Sequence, residues 1–530
     1  MKVLFKSALL LLAATTGMAH AQSFIRKPFL QMGTPKSASV CWKLSAPASL
    51  TVRYGTDSTN LNKTTVASAN ASTSCVPLDS LQTSTKYFYE VYNGATLMPG
   101  GTPQYIKTGP PIGTRNQKYT FWLLGDFGVG VGHADYATHG LASQRVRDAF
   151  VAVNGGPHVD GVLFLGDIAY ENGTEAQVDA GAFALYPNIM SNSFVWPAMG
   201  NHEAVTSSGA AYLNAFALPA AAQAGGVASN TEYYYSYNYG NIHFIVLEFE
   251  VSSRSTTGAQ YLWLQQDLQS ASAQNADWII VYSHHMPYTC CDHNSETEAQ
   301  LVNIRYNFLP LLEQYGADMF FAGHSHDYER SWLLDSAYSN SATSTSQSSH
   351  YTWYSQNRSR IIVDSSSGNP DLTGPYRKQR GGNNGTVYAV VGSGGKLEIN
   401  NTAKHPMMYV RHLVQGSMIL DIQDSVATAR FYDTTRTLRD KFQIVKPVLP
   451  TSIKNARRPV KFDATPKFSQ SGRRFQFPTE NVQTLYIYAP DGSLLLQDTP
   501  RGAWDLNRSR LAAGEYYFRY GNDFRKVSLP

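Results

Sequence analysis

The chain predicts a mixed α/β architecture flanked by two all-β units, and three observations carry that expectation. Short alternating strands separated by turn residues occupy residues 22–112. Between residues 116 and 447, wholly apolar runs alternate with helical or mixed segments, the pattern of strands buried on both faces and covered by helices. Residues 455–530 return to short tyrosine-rich strands and tight turns.

The first element precedes all of these. Met1-Lys2-Val3-Leu4-Phe5-Lys6 is a basic start, Ala8 to Ala14 an apolar stretch, and Ala19-His20-Ala21 a small-x-small cleavage signal. Residues 1–21 are therefore expected to be a signal peptide, with maturation at Gln22 and export to the cell surface or medium. No later segment approaches the roughly 18 to 20 uninterrupted apolar residues of a membrane span. The 530 residues, 43% of them hydrophobic, exceed one ordinary domain and suffice for more than one core. The formal charge of +4 falls to +2 once Lys2 and Lys6 leave, with 41 cationic against 39 acidic side chains. That balance points to neither nucleic acid nor an anionic membrane surface.

Ser39-Val40-Cys41-Trp42-Lys43, Leu50-Thr51-Val52-Arg53-Tyr54-Gly55 and Thr85-Lys86-Tyr87-Phe88-Tyr89-Glu90-Val91 argue for a β-sandwich over residues 22–112. Four cysteines allow three pairings; Cys41 and Cys75 share this unit, and a disulfide between them suits an oxidising compartment. Cys290 and Cys291 have no second cysteine pair with which to complete a thiolate metal site.

In the central region the apolar runs are Phe121 to Leu124, Val162 to Leu165, Phe194 to Met199, Ile279 to Tyr282 and Met319 to Ala322, with helical or mixed segments such as 258–270 and 297–315. Two packed sheets with flanking helices fit this alternation. Residues 335–385, rich in Ser, Asn and Gly, read as a surface excursion before Thr386-Val387-Tyr388-Ala389-Val390-Val391 rejoins a sheet.

Each of those five runs delivers a polar segment: Gly125-Asp126-Phe127-Gly128, Gly166-Asp167-Ile168-Ala169-Tyr170, Gly200-Asn201-His202-Glu203, Ser283-His284-His285 and Gly323-His324-Ser325-His326, the last followed by Tyr328-Glu329-Arg330. Singly, each reads as a turn or a surface histidine. Together, at successive strand ends, they supply carboxylates, an amide oxygen, a phenol and imidazoles to one sheet edge. Two cations about 3.5 to 4 Å apart need such a mixture, including an anion shared between them.

The order Gly-Asp-x-Gly, Gly-Asp-x-x-Tyr, Gly-Asn-His-Glu, x-x-x-His, Gly-His-x-His-x-Tyr-Glu-Arg resembles the purple acid phosphatases, within the calcineurin-like metallophosphoesterases. The resemblance implies that Asp126, Tyr170 and His326 bind one metal, that Asn201, His284 and His324 bind the other, and that Asp167 bridges them. A hard phenolate beside carboxylates suits Fe(III); the second site suits Zn, Fe(II) or Mn. The family usually reads His-x-Pro after the fourth strand, where this chain offers His284-His285-Met286-Pro287. Strand length favours His284 and counting back from the proline favours His285; His284 is taken as the ligand, with His285 behind it or facing solvent.

The implied reaction is hydrolysis of a small phosphate monoester, with metal-held hydroxide attacking phosphorus in line. His202 would contact phosphate or protonate the leaving alcohol, Glu203 would orient His202, and His293 falls where the family places a further substrate-facing histidine. A phosphodiesterase or nucleotide hydrolase on the same metals, and a non-enzymatic surface adhesin, are the alternatives. Lys27-Pro28-Phe29-Leu30-Gln31 with Leu81-Gln82-Thr83-Ser84-Thr85-Lys86-Tyr87 resembles the fibronectin-type-III-like module that precedes this catalytic domain. Leu511-Ala512-Ala513-Gly514-Glu515-Tyr516 and the basic last strand resemble the C-terminal sorting domain of the type IX bacterial secretion route, which would make secretion machinery a partner. A carbohydrate-binding or adhesive β domain is the plainer reading of that tail.

Overall fold

The computed structural model describes residues 22–67, 70–99, 104–273, 276–290, 292–338, 347–399, 403–447 and most of 469–529. The leader expected at residues 1–21, Cys291 and the linker beyond Pro447 lie outside the described residues.

Two large sheets dominate this mixed α/β, mostly stranded molecule. In the first, Lys118–Leu124, Gly161–Leu165 and Phe194–Ala198 run parallel side by side. In the second, Ile242–Val246, Trp278–Tyr282, Met319–Ala322 and Thr386–Val391 are likewise parallel neighbours. Gly161–Leu165, Phe194–Ala198, Trp278–Tyr282 and Met319–Ala322 are buried at every residue, which is why these strands read as unbroken apolar runs rather than alternating ones.

The sheets meet through aromatic rings. Trp196 of the first stacks on Tyr237 of the second at 4.0 Å, and Phe121 meets Phe244 edge-on at 4.9 Å. Such pairs add about 0.5–1.5 kcal/mol beyond their buried area. At the strand ends, the Gly125 N–H donates to the Val391 carbonyl at 2.9 Å, tying together the edges of the two sheets from which the polar segments emerge.

The N-terminal strands do not stand apart as the sequence suggests. Phe24–Gln31 pairs in parallel with Phe194–Ala198 at Leu30 and Phe194, so that it, Ala38–Ala48 and Ala71–Leu78 prolong the first sheet to ten strands. Thr51–Gly55, Lys63–Val66, Lys86–Asn93, Thr96–Leu97 and Tyr105–Lys107 form a separate sheet of five. Arg26, fully buried, pairs with Asp179, and Lys43 Nζ reaches the same carboxylate at 2.7 Å, so charge as well as backbone joins the two regions. Cys41 and Cys75 face each other across the antiparallel pair and are bonded, as expected. Cys290 is buried.

Residues 335–385 hold more order than their composition suggests. Gln347–Ile361 is a helix that buries His350, Tyr354 and Ile361. Its Ser, Asn and aromatic residues are middling helix formers, so tertiary contacts rather than local propensity hold it. At the C-terminus, Gly514–Tyr520 pairs with Asp523–Leu529 and with Leu485–Tyr488, around a small core that includes Phe475, Ile487 and Phe518. No helix among the described residues is long and apolar enough to cross a membrane.

Candidate metal centre

All five polar segments emerge from the C-terminal ends of parallel strands: Asp126 after Lys118–Leu124, Asp167 and Tyr170 after Gly161–Leu165, Asn201 and His202 after Phe194–Ala198, His284 after Trp278–Tyr282, His324 and His326 after Met319–Ala322. Ligands collect at that edge of open parallel sheets because the connecting loops there are free to vary.

The backbone turns abruptly to aim them. Asp126, Asp167 and His324 adopt left-handed φ values of 60°, 52° and 70°, a region costly for any residue with a Cβ. Close approach also fixes the glycines: a Cβ on Gly323 would fall on the Asp126 carboxylate, and one on Gly166, itself at φ 87°, would strike the His284 ring. Side chains from different strands therefore interlock at the centre.

On one side, His284 Nε2 lies 2.9 Å from Asn201 Oδ1, His324 Nδ1 lies 3.1 Å from the same oxygen, and the two ring nitrogens are 3.3 Å apart. His284 Nδ1 donates to the Leu165 carbonyl at 2.8 Å, which leaves Nε2 as the nitrogen that faces the other polar atoms. Burial pushes the His324 imidazole down to about 3, keeping it neutral. Two imidazole nitrogens and an amide oxygen thus converge, a set of donor atoms that a cation can hold.

On the other side, Asp126, Asp167 and His326 bring one ligand atom each within 4.8 Å of one another. His326 Nε2 is 3.6 Å and the Tyr170 hydroxyl 3.3 Å from Asp126 Oδ1. Asp167 sits between the two groups, its Oδ1 3.3 Å from His284 Nε2. Burial alone would depress the His284 imidazole, yet Asp167 and Asp126 outweigh it and push it up to about 10. A centre this anionic draws a proton when nothing else balances it. Burial, then the neighbouring carboxylates, hold the Tyr170 phenol far above its ordinary range, so only a strong Lewis acid would draw the phenolate out. The donor set fits two cations.

His202 stands beside this group rather than in it. Its Nδ1 is 2.6 Å from the Glu171 carbonyl, its Nε2 is 3.8 Å from Asp167 Oδ2, and its ring packs edge-on against Tyr170 at 4.5 Å. His293 stacks on His324 at 3.6 Å, so it too belongs to the site. His285 does not face solvent: it is buried 4.4 Å from the His324 ring, while His284 is the histidine that reaches Asn201 and Asp167.

Glu203 requires a correction. It does not orient His202; its buried carboxylate accepts the backbone N–H groups of Asp167 at 2.9 Å, Ala169 at 3.0 Å and Gly200 at 2.8 Å, lacing two ligand loops together. Burial outweighs those donors and pushes its carboxyl up to about 8. The Glu171 carbonyl takes the orienting role instead. Glu203→Ala is expected to orphan three buried donors and cost about 3 kcal/mol or more, with Glu203→Gln costing less because an oxygen acceptor remains. Urea unfolding measures this; an unchanged midpoint in the alanine variant contradicts it.

Residues that sequence reasoning missed complete the rim. Lys396 Nζ contacts Glu171 Oε1 at 3.0 Å and lies 4.5 Å from the Tyr170 ring; Asp292 and Glu298 border the histidines of the last segment. None shares a motif with the ligands, and only the folded loops bring them close.

Residues 119–328 match the calcineurin-like phosphoesterase family. Among curated relatives, a phosphoenolpyruvate phosphatase of Allium cepa is 27% identical over 339 residues, covering 61% of this chain and 57% of the relative. The Fe(3+)-Zn(2+) purple acid phosphatase 12 of Arabidopsis thaliana is 27% identical over 265 residues, covering 48% of this chain and 51% of the relative. The chain thus spans little more than half the length of these relatives. Among solved structures, purple acid phosphatase PPD1 from yellow lupin (Lupinus luteus) seeds superposes with a TM-score of 0.59 over 81% of this chain and 77% of that one, at 18% identity. That likeness establishes a shared fold.

Proposed function

We propose that this protein is an exported dinuclear-metal phosphatase that hydrolyses small phosphate monoesters. The observation that carries the reading is the convergence of His284 Nε2, Asn201 Oδ1 and His324 Nδ1 beside the Asp126–Asp167–His326 group. In this reading Asp126, Tyr170 and His326 hold Fe(III), Asn201, His284 and His324 hold Zn, Fe(II) or Mn, and Asp167 bridges them. The names of the matched phosphatases, one of them an iron–zinc protein, support both the chemistry and the metals. The leader at 1–21 and the C-terminal strands fit export, with 455–530 serving as a sorting signal and 22–112 joined to 116–447 through the shared sheet.

When bound, the cations supply charge neutralisation at the transferring phosphoryl group and acidify a water. The remaining work falls to the protein. Glu203 keeps the two loops bearing Asp167 and Asn201 in register. The Glu171 carbonyl takes the Nδ1–H of His202, which turns Nε2 toward the site; as the imidazolium, the ring would give its Nε2 proton to the departing alcohol and be left as the neutral imidazole held at Nδ1. His293, stacked on His324, borders the space where phosphate would lie.

Tyr170 offers a direct test. Oxidised, iron-loaded protein is expected to absorb in the visible through a phenolate-to-iron transition, and Tyr170→Phe to bleach it with the fold intact. A colourless iron-loaded wild type, or colour unchanged in the variant, rejects the ligation. Turnover of 4-nitrophenyl phosphate well above that of bis(4-nitrophenyl) phosphate is expected; the reverse order makes the protein a diesterase.

A further inference from the structure

The loop following His284 carries a carboxylate that the ligand motifs do not include. Asp292 Oδ2 lies 2.8 Å from His326 Nδ1, on the side of the ring away from the centre, while His326 Nε2 faces Asp126 Oδ1 at 3.6 Å. A neutral imidazole owns one N–H. With that proton donated to Asp292 at Nδ1, the lone pair stands on Nε2, the nitrogen that faces Asp126. We infer that Asp292 is a positioning residue that fixes the tautomer and ring orientation of His326 and so strengthens the metal position shared with Asp126 and Tyr170. The inference rests on the metal reading of the site and adds to it a residue that acts through a ligand.

Asp292 can do this because its loop is held firmly. The Ser295 hydroxyl donates to the Thr289 carbonyl at 3.0 Å and accepts the Thr289 N–H at 3.1 Å, closing the loop on itself. The Thr289 hydroxyl meets that of Ser325, the residue between His324 and His326, at 2.7 Å, which ties the loop to the segment it serves. Glu296 anchors it from below. Its buried carboxylate takes Arg305 Nη1 at 2.8 Å and Nη2 at 3.1 Å, His350 Nδ1 at 2.6 Å and His405 Nε2 at 2.9 Å. His350 belongs to the helix Gln347–Ile361, so the segment that reads as a solvated excursion braces the loop carrying Asp292. On the loop's other flank Glu298 holds His293 Nδ1 at 3.0 Å beneath the His324 ring. The Asp292 side chain remains 28% exposed, which leaves room to substitute it without emptying a core.

Carboxylates behind a ligating histidine typically govern metal affinity by 10- to 100-fold. The test loads wild type, Asp292→Ala and Asp292→Asn with iron and zinc, then follows metal retention against a graded chelator, the visible band and thermal unfolding. In Asp292→Ala iron is expected to bind about 10- to 100-fold more weakly and the band to fade, with zinc affinity and unfolding temperature kept. Asp292→Asn, whose amide oxygen still accepts the Nδ1–H, should retain part of the iron. Iron affinity and band equal to wild type in both variants overturn the inference. Equal loss of both metals, or unfolding of both variants, makes Asp292 a structural residue and overturns it too. A wild type that holds no metal ends the metal reading itself, whereas a wild type holding two with Asp292→Ala indistinguishable from it ends only the role of Asp292.

Discussion

Asp167→Asn is expected to abolish turnover, by about 10³-fold or more, and to release both metals. Asp167 Oδ1 stands 3.3 Å from His284 Nε2, nearer than Asp126 Oδ1 at 4.0 Å, and the same carboxylate belongs to the group with Asp126 and His326, so it reaches both halves of the centre. The amide keeps the shape and loses the charge, leaving two cations with nothing to screen their repulsion. The backbone should survive, because Glu203 binds the Asp167 N–H rather than its side chain. Metal content and kcat measured on the same preparation decide the point: two tightly held metals with near-normal turnover refute the bridge.

His202→Ala separates chemistry from binding. Its Nδ1 is engaged by the Glu171 carbonyl and its Nε2 stays 3.8 Å from Asp167, so no proposed ligand depends on it. Both metals should remain, while kcat falls about 10²- to 10⁴-fold on an alkyl phosphate, the usual contribution of a positioned acid. On 4-nitrophenyl phosphate, whose leaving group departs without a proton, the loss should shrink. Equal losses on the two substrates would make His202 a phosphate-positioning residue, and loss of metal would place it among the ligands.

The strands that aim the site are legible in the sequence because burial on both faces writes them as unbroken apolar runs, as in Gly161–Leu165 and Met319–Ala322. The polar residues at their ends are legible through repetition: one such segment reads as a turn or a surface histidine, but five at successive strand ends supply a full set of metal donors. What supports them is not. Glu203 adjoins His202 in sequence yet bonds to Asp167, Ala169 and Gly200, because side-chain direction on the short helix Asn201–Val205 depends on where the neighbouring loop passes. Glu171 serves through a backbone carbonyl, which no residue type announces. The helix Gln347–Ile361 lacks an apolar stripe and rests on Glu296 and His405, which lie far from it in the chain. The pairing of Leu30 with Phe194 likewise depends on a long-range register that strand patterns do not encode.

The most direct test of the account is metal stoichiometry coupled to activity. Protein freed of loosely bound ions should retain two metal ions per chain, at least one of them iron, and hydrolysis of a phosphate monoester should disappear and return as those two ions are removed and restored. A chain that hydrolyses the ester with no bound metal, or holds two metals and leaves every phosphoester untouched, contradicts it.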